Sequence, residues 1–268
     1  MKRAIVFGSS GFVGSNLLSG LLNSSDYGEV TAVARRSLNI THPKLRTVIA
    51  DYDSLVAGYR SLADYNCSKD VKADVKEGVK SEIVPVPDVE DGVKAEIGPL
   101  GNVKSDIAGD EVFIALGTTR ASSPNEADYY RVDHDYPVLA ARIAKEGGAR
   151  SVFLVSAVDA NPDSKMFYVR TKGDTERDVA ALNFEHTNIF RPSMILGSRK
   201  ERRSLLEDAL MKFWPAINPL LAWKGGKYRG MTGEDIAKAM IETAKNQTKR
   251  NKIYEWREMQ DLVQGAAV

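Results

Sequence analysis

The sequence predicts an α/β fold built on a doubly wound parallel sheet. Short apolar runs alternate with apolar-periodic segments along most of the chain, and a glycine-rich turn joins the first run to the first periodic segment. The 268 residues, 43% hydrophobic and 27% charged, suffice for one full core. Alternation of strands and helices favours parallel pairing, because each helical crossover covers a face of the sheet. We therefore predict that residues 1–268 form one domain.

The first element is a buried strand at residues 4–7, followed by Gly8-Ser-Ser-Gly11-Phe-Val-Gly14 and a helix with leucines at helical spacing. Glycines allow positive φ and leave no Cβ between the backbone and a pyrophosphate at the helix N-terminus. The alternative is a tight turn without a ligand, because the spacing is GxxGxxG and not GxGxxG. The turn predicts a dinucleotide site formed by Gly8, Ser10, Gly11, Phe12, Val13 and Gly14.

The second strand, at residues 30–33, leads into Ala34-Arg35-Arg36. Enzymes that use NAD usually carry an acid near this position for the ribose hydroxyls. Two guanidinium groups suit the 2′-phosphate of NADP better, since arginine offers a forked donor set and a permanent charge. Arg35 and Arg36 therefore predict a preference for NADP (NADPH), with NAD as the less favoured cofactor. A solvated basic turn is the alternative.

Four more strands follow, and each ends in a residue suited to a ligand. Strand three (45–50) ends at Asp51 and precedes a helix through Leu55, Tyr59 and Leu62. Strand four (111–116) ends at Gly117, and a helix over about 127–145 leads to strand five (151–155), which ends at Ser156. Strand six (187–190) ends at Arg191 and Pro192. Ligands of such sheets bind at the carboxyl ends of the strands, so these positions predict one shared site.

Tyr168 and Lys172 lie one helical turn apart on the helix after strand five. A tyrosine has a pKa of about 10, and a neighbouring ammonium favours the phenolate and makes it a better acid–base group. Tyr65 and Lys69 have the same spacing. They precede strand four, on the segment that returns to the opposite edge of the sheet, so Tyr168 and Lys172 are the predicted pair.

This ordered set of motifs resembles the atypical or extended short-chain dehydrogenases/reductases, which have the Rossmann fold. The set comprises GxxGxxG, Ser156, the YxxxK of Tyr168 and Lys172, and Arg191-Pro192. Leu116-Gly-Thr-Thr-Arg120, Val132-Asp-His-Asp-Tyr136, Phe190-Arg-Pro192 and Ser198-Arg-Lys-Glu-Arg-Arg203 resemble the Tat-interacting, oxidoreductase-like branch of that superfamily. The resemblance covers most of the chain except about residues 66–108 and the last dozen.

The resemblance implies a role for each matching residue. Tyr168 would give a proton to a carbonyl oxygen, Lys172 would lower the pKa of Tyr168 and bind the nicotinamide ribose, and Ser156 would hold the carbonyl or developing alkoxide. Relatives commonly have Ser-Ser where this chain has Ser156-Ala157, so a strand-end residue without a catalytic role is the alternative for Ser156. The remaining implied cofactor contacts are Asp51, Leu116, Gly117, Thr118, Thr119, Arg191, Pro192 and Ser193.

Residues 66–108 contain four near-copies of one pattern, of which Val71-Lys-Ala-Asp-Val75 is the first. Apolar and charged side chains alternate with period two, which predicts a small β-rich meander; a helix and a mobile charged loop are the alternatives. The segment enters strand four at its amino end, away from the cofactor edge. We therefore expect it to serve a protein partner or a homodimer. Residues 197–230 hold several aromatic side chains and predict a small C-terminal region for substrate or dimer contacts.

The net charge of +1 gives no support to a nucleic-acid surface. Cys67 is the single cysteine, residues 1–3 lead straight into a strand, and no apolar run approaches the roughly 20 residues that span a bilayer. These features predict a cytoplasmic protein without a transmembrane segment. His42, His134 and His186 are scattered, so no metal site is expected.

Two function classes follow. The first is an NADP-dependent oxidoreductase that transfers hydride to or from a small carbonyl or alcohol. The second is an NADP(H)-binding regulatory or protein-interaction module with little turnover. The Tyr168 and Lys172 pair favours the enzyme, whereas the Ser156-Ala157 departure and the repeated insertion favour the regulator.

Overall fold

The computed structural model describes residues 1–57, 106–119, 122–123, 125–196 and 226–265. Nine strands are present in these ranges: β1 (Lys2–Phe7), β2 (Tyr27–Ala34), β3 (Leu45–Ile49), β4 (Glu111–Ile114), β5 (Ser151–Val155), β6 (His186–Phe190), β7 (Ile195–Leu196), β8 (Met231–Thr232) and β9 (Asn251–Tyr254). Seven of them form one sheet in the order β3-β2-β1-β4-β5-β6-β9, and every pair is parallel. β7 and β8 form a separate parallel pair.

The helices of the described ranges are α1 (Phe12–Asn23), α2 (Glu126–Tyr130), α3 (Tyr136–Glu146), α4 (Phe167–Ala181), α5 (Gly233–Lys245) and α6 (Trp256–Gln264). Residues 52–57 are also helical. A π-helical segment, Arg131–Asp135, joins α2 to α3. The helix predicted over about 127–145 is therefore present, with a wider turn in its first half.

Both faces of the sheet are buried, which makes the fold doubly wound. Within β1, Ala4 and Val6 pack on one face with α1, α5 and α6, whereas Ile5 and Phe7 pack on the other with α3 and α4. Side chains of a strand alternate between the two faces, so a continuously apolar strand requires helices on both sides. This arrangement confirms the predicted fold class.

All six predicted strands are present. Thr232-Gly-Glu-Asp-Ile236 has the pattern of a capped helix start, and it forms the N-terminus of α5, with Thr232 as the N-cap. β9 was not predicted, because Asn251-Lys-Ile-Tyr254 is short and half polar. It extends the sheet because α5 returns the chain to the free edge of β6. The predicted meander at residues 66–108, the Tyr65 pair and most of residues 197–230 lie outside the described residues, so those interpretations stay predictions.

Candidate functional site

The turn between β1 and α1 requires glycine at two positions. Gly8 has φ +84°, and a Cβ there would lie 2.5 Å from the carbonyl oxygen of Ala115 in the neighbouring strand end. A Cβ on Gly14 would lie 2.0 Å from the carbonyl oxygen of Gly8. The Gly11 N–H donates to that same oxygen at 2.9 Å. The glycine motif therefore closes the backbone tightly against β4 and α1.

The N-terminus of α1 has the features of an anion site. Gly11 is its N-cap, no side chain caps it, and its first turn carries no acidic residue. The hydroxyl of Ser9 is buried, with the residue 2% exposed, and has no hydrogen-bond partner among the described residues. Unpaired N–H groups and a buried unpaired hydroxyl fit a phosphate group. The residues present thus fit the pyrophosphate of a dinucleotide.

Arg35 and Arg36 directly follow β2, and both are exposed. Beside them, the Tyr52 hydroxyl donates to the Val33 carbonyl at 2.9 Å. Burial raises the pKa of Tyr52 to about 12, against the opposing charge of Arg35 and a hydrogen bond from the Gly8 backbone. Asp51 accepts hydrogen bonds from the N–H and hydroxyl of Ser54, at 3.0 and 2.6 Å, so it caps the helix that follows.

The end of β4 meets the π-helical segment through Asp133. The Thr118 N–H donates to Asp133 Oδ2 at 2.7 Å, and a Cβ on Gly117 would lie 3.4 Å from Asp133 Oδ1 and 3.7 Å from Lys172 Nζ. The Thr118 and Ser123 hydroxyls are 3.1 Å apart. The Thr119 carbonyl accepts hydrogen bonds from the Ser122 and Ser123 N–H groups at 3.0 and 2.9 Å. The Gly117 to Thr119 turn is therefore fixed from both sides.

The predicted acid–base pair lies on the first turns of α4. Tyr168 is 42% exposed, and its ring meets Tyr129 edge-on, with the centroids 6.3 Å apart. Lys172 is buried, and its Nζ lies 2.6 Å from Asp133 Oδ1. Burial alone would lower the pKa of Lys172, but the nearby charges of Asp133, Tyr168 and Glu176 raise it above its usual value. The lysine is thus held as a buried ammonium.

Ser156 is buried at the end of β5, and its hydroxyl donates to Glu176 Oε1 at 2.5 Å. Glu176 also accepts from Arg191 in a two-pronged ion pair, Nε to Oε1 at 2.9 Å and Nη2 to Oε2 at 2.5 Å. The hydrogen bonding to Glu176 is the main cause that raises the pKa of Arg191, and it outweighs the opposite effect of partial burial. The Ser156 hydroxyl is engaged within this cluster, and its catalytic role stays a prediction.

The end of β6 is tied to its neighbours through the backbone. The Arg191 N–H donates to the Tyr254 carbonyl at 2.9 Å, and the Pro192 carbonyl accepts from the Val158 N–H at 3.0 Å. Ser193 follows in the bend that leads to β7. The predicted site residues thus lie at the carboxyl ends of β1, β2, β3, β4, β5 and β6 and on α4, as the topology requires.

Two residues of this edge had no predicted role. Asp133 is part of the Val132-Asp-His-Asp-Tyr136 motif, but the sequence does not show that a π-helical segment brings it to Lys172. Glu176 could have been found, because Tyr168, Lys172 and Glu176 are spaced by four and so lie on one face of a helix.

A groove of about 750 Å³ opens at the opposite, amino-terminal edge of the sheet, lined by residues that include Lys2, Tyr27, Glu111, Arg150 and Lys245. Glu111, its buried acid, already accepts from Lys2 Nζ at 2.8 Å, Gln247 Nε2 at 3.0 Å and the Tyr27 hydroxyl at 2.5 Å. The groove therefore lacks the unpaired buried groups of the glycine loop. The described residues contain no group of three or more histidine, cysteine or acidic side chains placed to hold a metal ion.

Known structures share this fold. A UDP-N-acetylglucosamine 4-epimerase from Methanobrevibacter ruminantium, in complex with UDP-N-acetylmuramic acid, superposes with a TM-score of 0.57 at 16% identity and covers 95% of this chain and 76% of its own. The Bordetella bronchiseptica enzyme WbmH, in complex with NAD⁺, gives 0.57 at 12% identity, with 96% and 75% covered. The described part of the chain therefore has the Rossmann fold of these two enzymes, of which WbmH was solved with NAD⁺.

The sequence itself is similar to curated fungal proteins. "Protein FMP52, mitochondrial" of Coccidioides immitis is 32% identical over 204 residues, which cover 76% of this chain and 70% of that protein. The protein of the same name from Candida glabrata is 30% identical over 200 residues, covering 75% and 66%. The chain belongs to the FMP52 family. No family model matches it.

The prediction of a cytoplasmic location is wrong, because the relatives from several fungi are named as mitochondrial proteins. Cysteine usage and net charge are compatible with any reducing aqueous compartment. They do not distinguish one such compartment from another. Within the described ranges, each helix is too short or too polar to cross a bilayer.

Proposed function

We propose that this protein is an NADP-dependent oxidoreductase of the short-chain dehydrogenase/reductase type, acting on a small carbonyl or alcohol. The observation that carries the proposal is the buried Lys172 ammonium next to the half-exposed Tyr168, with the end of β4 between them and a glycine loop fitted to an anion. A bound nicotinamide dinucleotide would supply or accept the hydride. The resemblance to the Tat-interacting branch stays a prediction.

Each residue has one task in this proposal. Tyr168 gives its phenolic proton to the carbonyl oxygen of the substrate, and the positive charge of Lys172 favours the phenolate that remains. Gly117 and Thr118 present backbone beside Lys172, where the nicotinamide ribose would bind. Ser156 would assist at the carbonyl oxygen only by turning away from Glu176, which now accepts its hydrogen bond.

The preference for NADP rests on Arg35 and Arg36. Both follow β2 at the exposed carboxyl edge, and no acidic residue lies in the Ala34-Arg35-Arg36-Ser37 turn. Purified protein should bind NADPH more tightly than NADH, as measured by the fluorescence of the bound reduced dinucleotide. Arg35→Ala/Arg36→Ala should remove this preference and leave NADH affinity within about twofold, because only the 2′-phosphate contact is lost. Equal affinity for both cofactors in the wild type would contradict the preference.

The catalytic assignment is tested by Tyr168→Phe on a panel of aldehydes and ketones. Loss of the proton donor should reduce turnover by at least about 100-fold, which is the usual contribution of general acid catalysis, while NADPH affinity stays the same. Ser156→Ala provides the comparison. A loss equal to that of Tyr168→Phe would show that the serine hydroxyl serves the carbonyl, and a small loss would place it with Glu176.

A second candidate function is an NADP(H)-binding regulatory or protein-interaction module. The observation that favours it is the Ser156 hydroxyl, which donates to Glu176, and Ala157 stands where the resemblance to short-chain dehydrogenases/reductases implies a second serine. Tight NADPH binding without turnover on the carbonyl panel would support this second function over the first.

The family also suggests a location. The names of the relatives place them in mitochondria, and we extend that location to this protein. Fractionation of cells that express the tagged full-length protein tests it, and recovery in the cytosolic fraction alone would contradict it.

A further inference from the structure

The contact between Asp133 and Lys172 joins two elements that are distant in sequence. Asp133 lies in the π-helical segment Arg131–Asp135 and is 1% exposed, and Lys172 lies one turn into α4. The two charged atoms are 2.6 Å apart. Short π-helical segments are uncommon and often occur at functional sites. The segment therefore places a carboxylate where a regular helix would direct a different side chain.

The two carboxylate oxygens of Asp133 contact different groups. Oδ2 accepts the Thr118 N–H at 2.7 Å, and Oδ1 faces Lys172 Nζ. The Asp133 carbonyl accepts the Thr175 hydroxyl at 2.9 Å, which fixes the segment against α4. One carboxylate thus links the end of β4, where the nicotinamide ribose would bind, to the lysine that would bind that ribose.

We propose that Asp133 is the positioning residue of this site, whose carboxylate holds the Lys172 ammonium beneath Gly117 and couples it to the Gly117-Thr118 backbone. This inference rests on the proposed function. An asparagine could not replace the aspartate, because an amide has one acceptor oxygen and would satisfy either Thr118 or Lys172 but not both. Its amide nitrogen would face whichever donor was left.

The charges around Lys172 make the proposal testable by pH. Besides Asp133, the titratable groups that act on it are Tyr168 and Glu176, both on α4. With Asp133 present, the ammonium stays charged through the neutral and mildly alkaline range. Without the carboxylate, burial favours the neutral amine, so the Asp133→Asn protein should lose NADPH affinity as pH rises from 7 to 9.5. The wild type should show no such loss.

The test is a double-mutant cycle with NADPH as the probe, comparing wild type, Asp133→Asn, Lys172→Met and the double variant. Asp133→Asn should weaken NADPH binding about tenfold, which is typical of losing one hydrogen bond to a charged group. In the Lys172→Met background, the same change should have less than a twofold effect, because Asp133 acts through the lysine. Equal effects in both backgrounds would overturn the proposal, as would an Asp133→Asn affinity that does not vary with pH.

Thermal unfolding of the same four proteins keeps the test informative if a single variant is unstable. Lys172→Met leaves a buried carboxylate without a counter-ion, so adding Asp133→Asn should raise its midpoint. A further fall in the midpoint would contradict the pairing. Asp135→Asn is the matched control, since Asp135 lies two residues further in the same segment and its carboxylate lies 2.9 Å from His134. If the wild type binds neither NADPH nor NADH, the proposed function fails; binding without coupling overturns only this inference.

Discussion

Each of the two edges of the sheet holds a buried carboxylate, but the surroundings of the two carboxylates differ. At the amino-terminal edge, Glu111 accepts hydrogen bonds from Lys2, Gln247 and Tyr27, which belong to three different elements or loops. At the carboxyl edge, Asp133 pairs with Lys172 beside a glycine loop with a positive φ at Gly8 and a buried unpaired Ser9 hydroxyl.

This difference separates structural groups from functional ones. A buried polar group that is fully paired stabilises the fold and has no capacity left for a ligand. Backbone strain and unpaired buried groups cost free energy, and they persist where a ligand can use them. We therefore expect changes at the amino edge to alter stability alone, and changes at the carboxyl edge to alter stability and cofactor affinity together.

The largest effect is expected for Gly8→Ala. The new Cβ would overlap the Ala115 carbonyl at 2.5 Å in a backbone with φ +84°, so strain and overlap together should cost roughly 3 kcal/mol of unfolding free energy and abolish NADPH binding. Gly265→Ala is the matched control. Gly265 has φ +76° with nothing within 4 Å of the added Cβ, so it should cost only about 1 kcal/mol. Equal losses of unfolding free energy in the two variants, measured by urea unfolding, would contradict the close approach of Gly8 to the Ala115 carbonyl.

Next in size is Glu111→Gln at the amino edge. Loss of the charge weakens the contacts with Lys2 and Tyr27 and should lower the unfolding free energy by about 2 kcal/mol. NADPH affinity should stay within about twofold, because the site lies at the other end of the strands. Asp110→Asn is the control: the asparagine keeps an oxygen to accept the Arg3 N–H, which Asp110 accepts at 2.8 Å, and loses only the partly exposed 3.6 Å ion pair with Arg3 Nη2, so it should cost less than about 0.5 kcal/mol. A large loss of affinity in Glu111→Gln would break the comparison between the edges.

Alkaline pH gives a third test of the amino edge. Burial is the main cause that raises the pKa of Tyr27 far above that of a free tyrosine, and the charge of Glu111 raises it further. The folded protein keeps this proton while the unfolded chain loses it, so the stabilisation is complete below about pH 10 and declines as pH rises above that value. At pH 11 the Tyr27 share of the loss should be about 1.4 kcal/mol, and Tyr27→Phe should remove that share, whereas the buried Tyr52 keeps its own. An unchanged decline between pH 9 and pH 11 in this variant would contradict the assignment.

The smallest effect is expected for Tyr52→Phe, which tests the support beneath the glycine loop. Loss of the 2.9 Å hydrogen bond to the Val33 carbonyl should cost roughly 1 kcal/mol and weaken NADPH binding a few-fold. Tyr136→Phe is the control, because its hydroxyl donates to the partly exposed Asp53 at 2.7 Å. It should change stability less and leave affinity unchanged. The reverse order of the two variants would show that Tyr52 does not support the loop.

The sequence predicted most strands and helices correctly because the patterns that indicate them are local in the chain. Residues 4–7 and 151–155 are uninterrupted apolar runs, and Thr232 is followed by an amphipathic helix, so strand, helix and cap were all visible. β9 was missed because its stability comes from pairing with β6 and not from its own composition. The cytoplasmic prediction was wrong because cysteine usage and the lack of a long apolar run are equally compatible with a mitochondrial protein, which is how the relatives are named.

By itself, the sequence determined the doubly wound sheet, the edge that carries the glycine loop, and the spacing of Tyr168 and Lys172 on one helical face. Period, glycine position and strand order are properties of the chain read in order. Tertiary structure alone decided which groups meet: Asp133 with Lys172, Ser156 with Glu176 and Arg191, and Glu111 with Lys2 and Tyr27. These partners are between 15 and 109 residues apart, and only the pairing of strands and the packing of helices on the sheet bring their polar atoms within hydrogen-bonding distance.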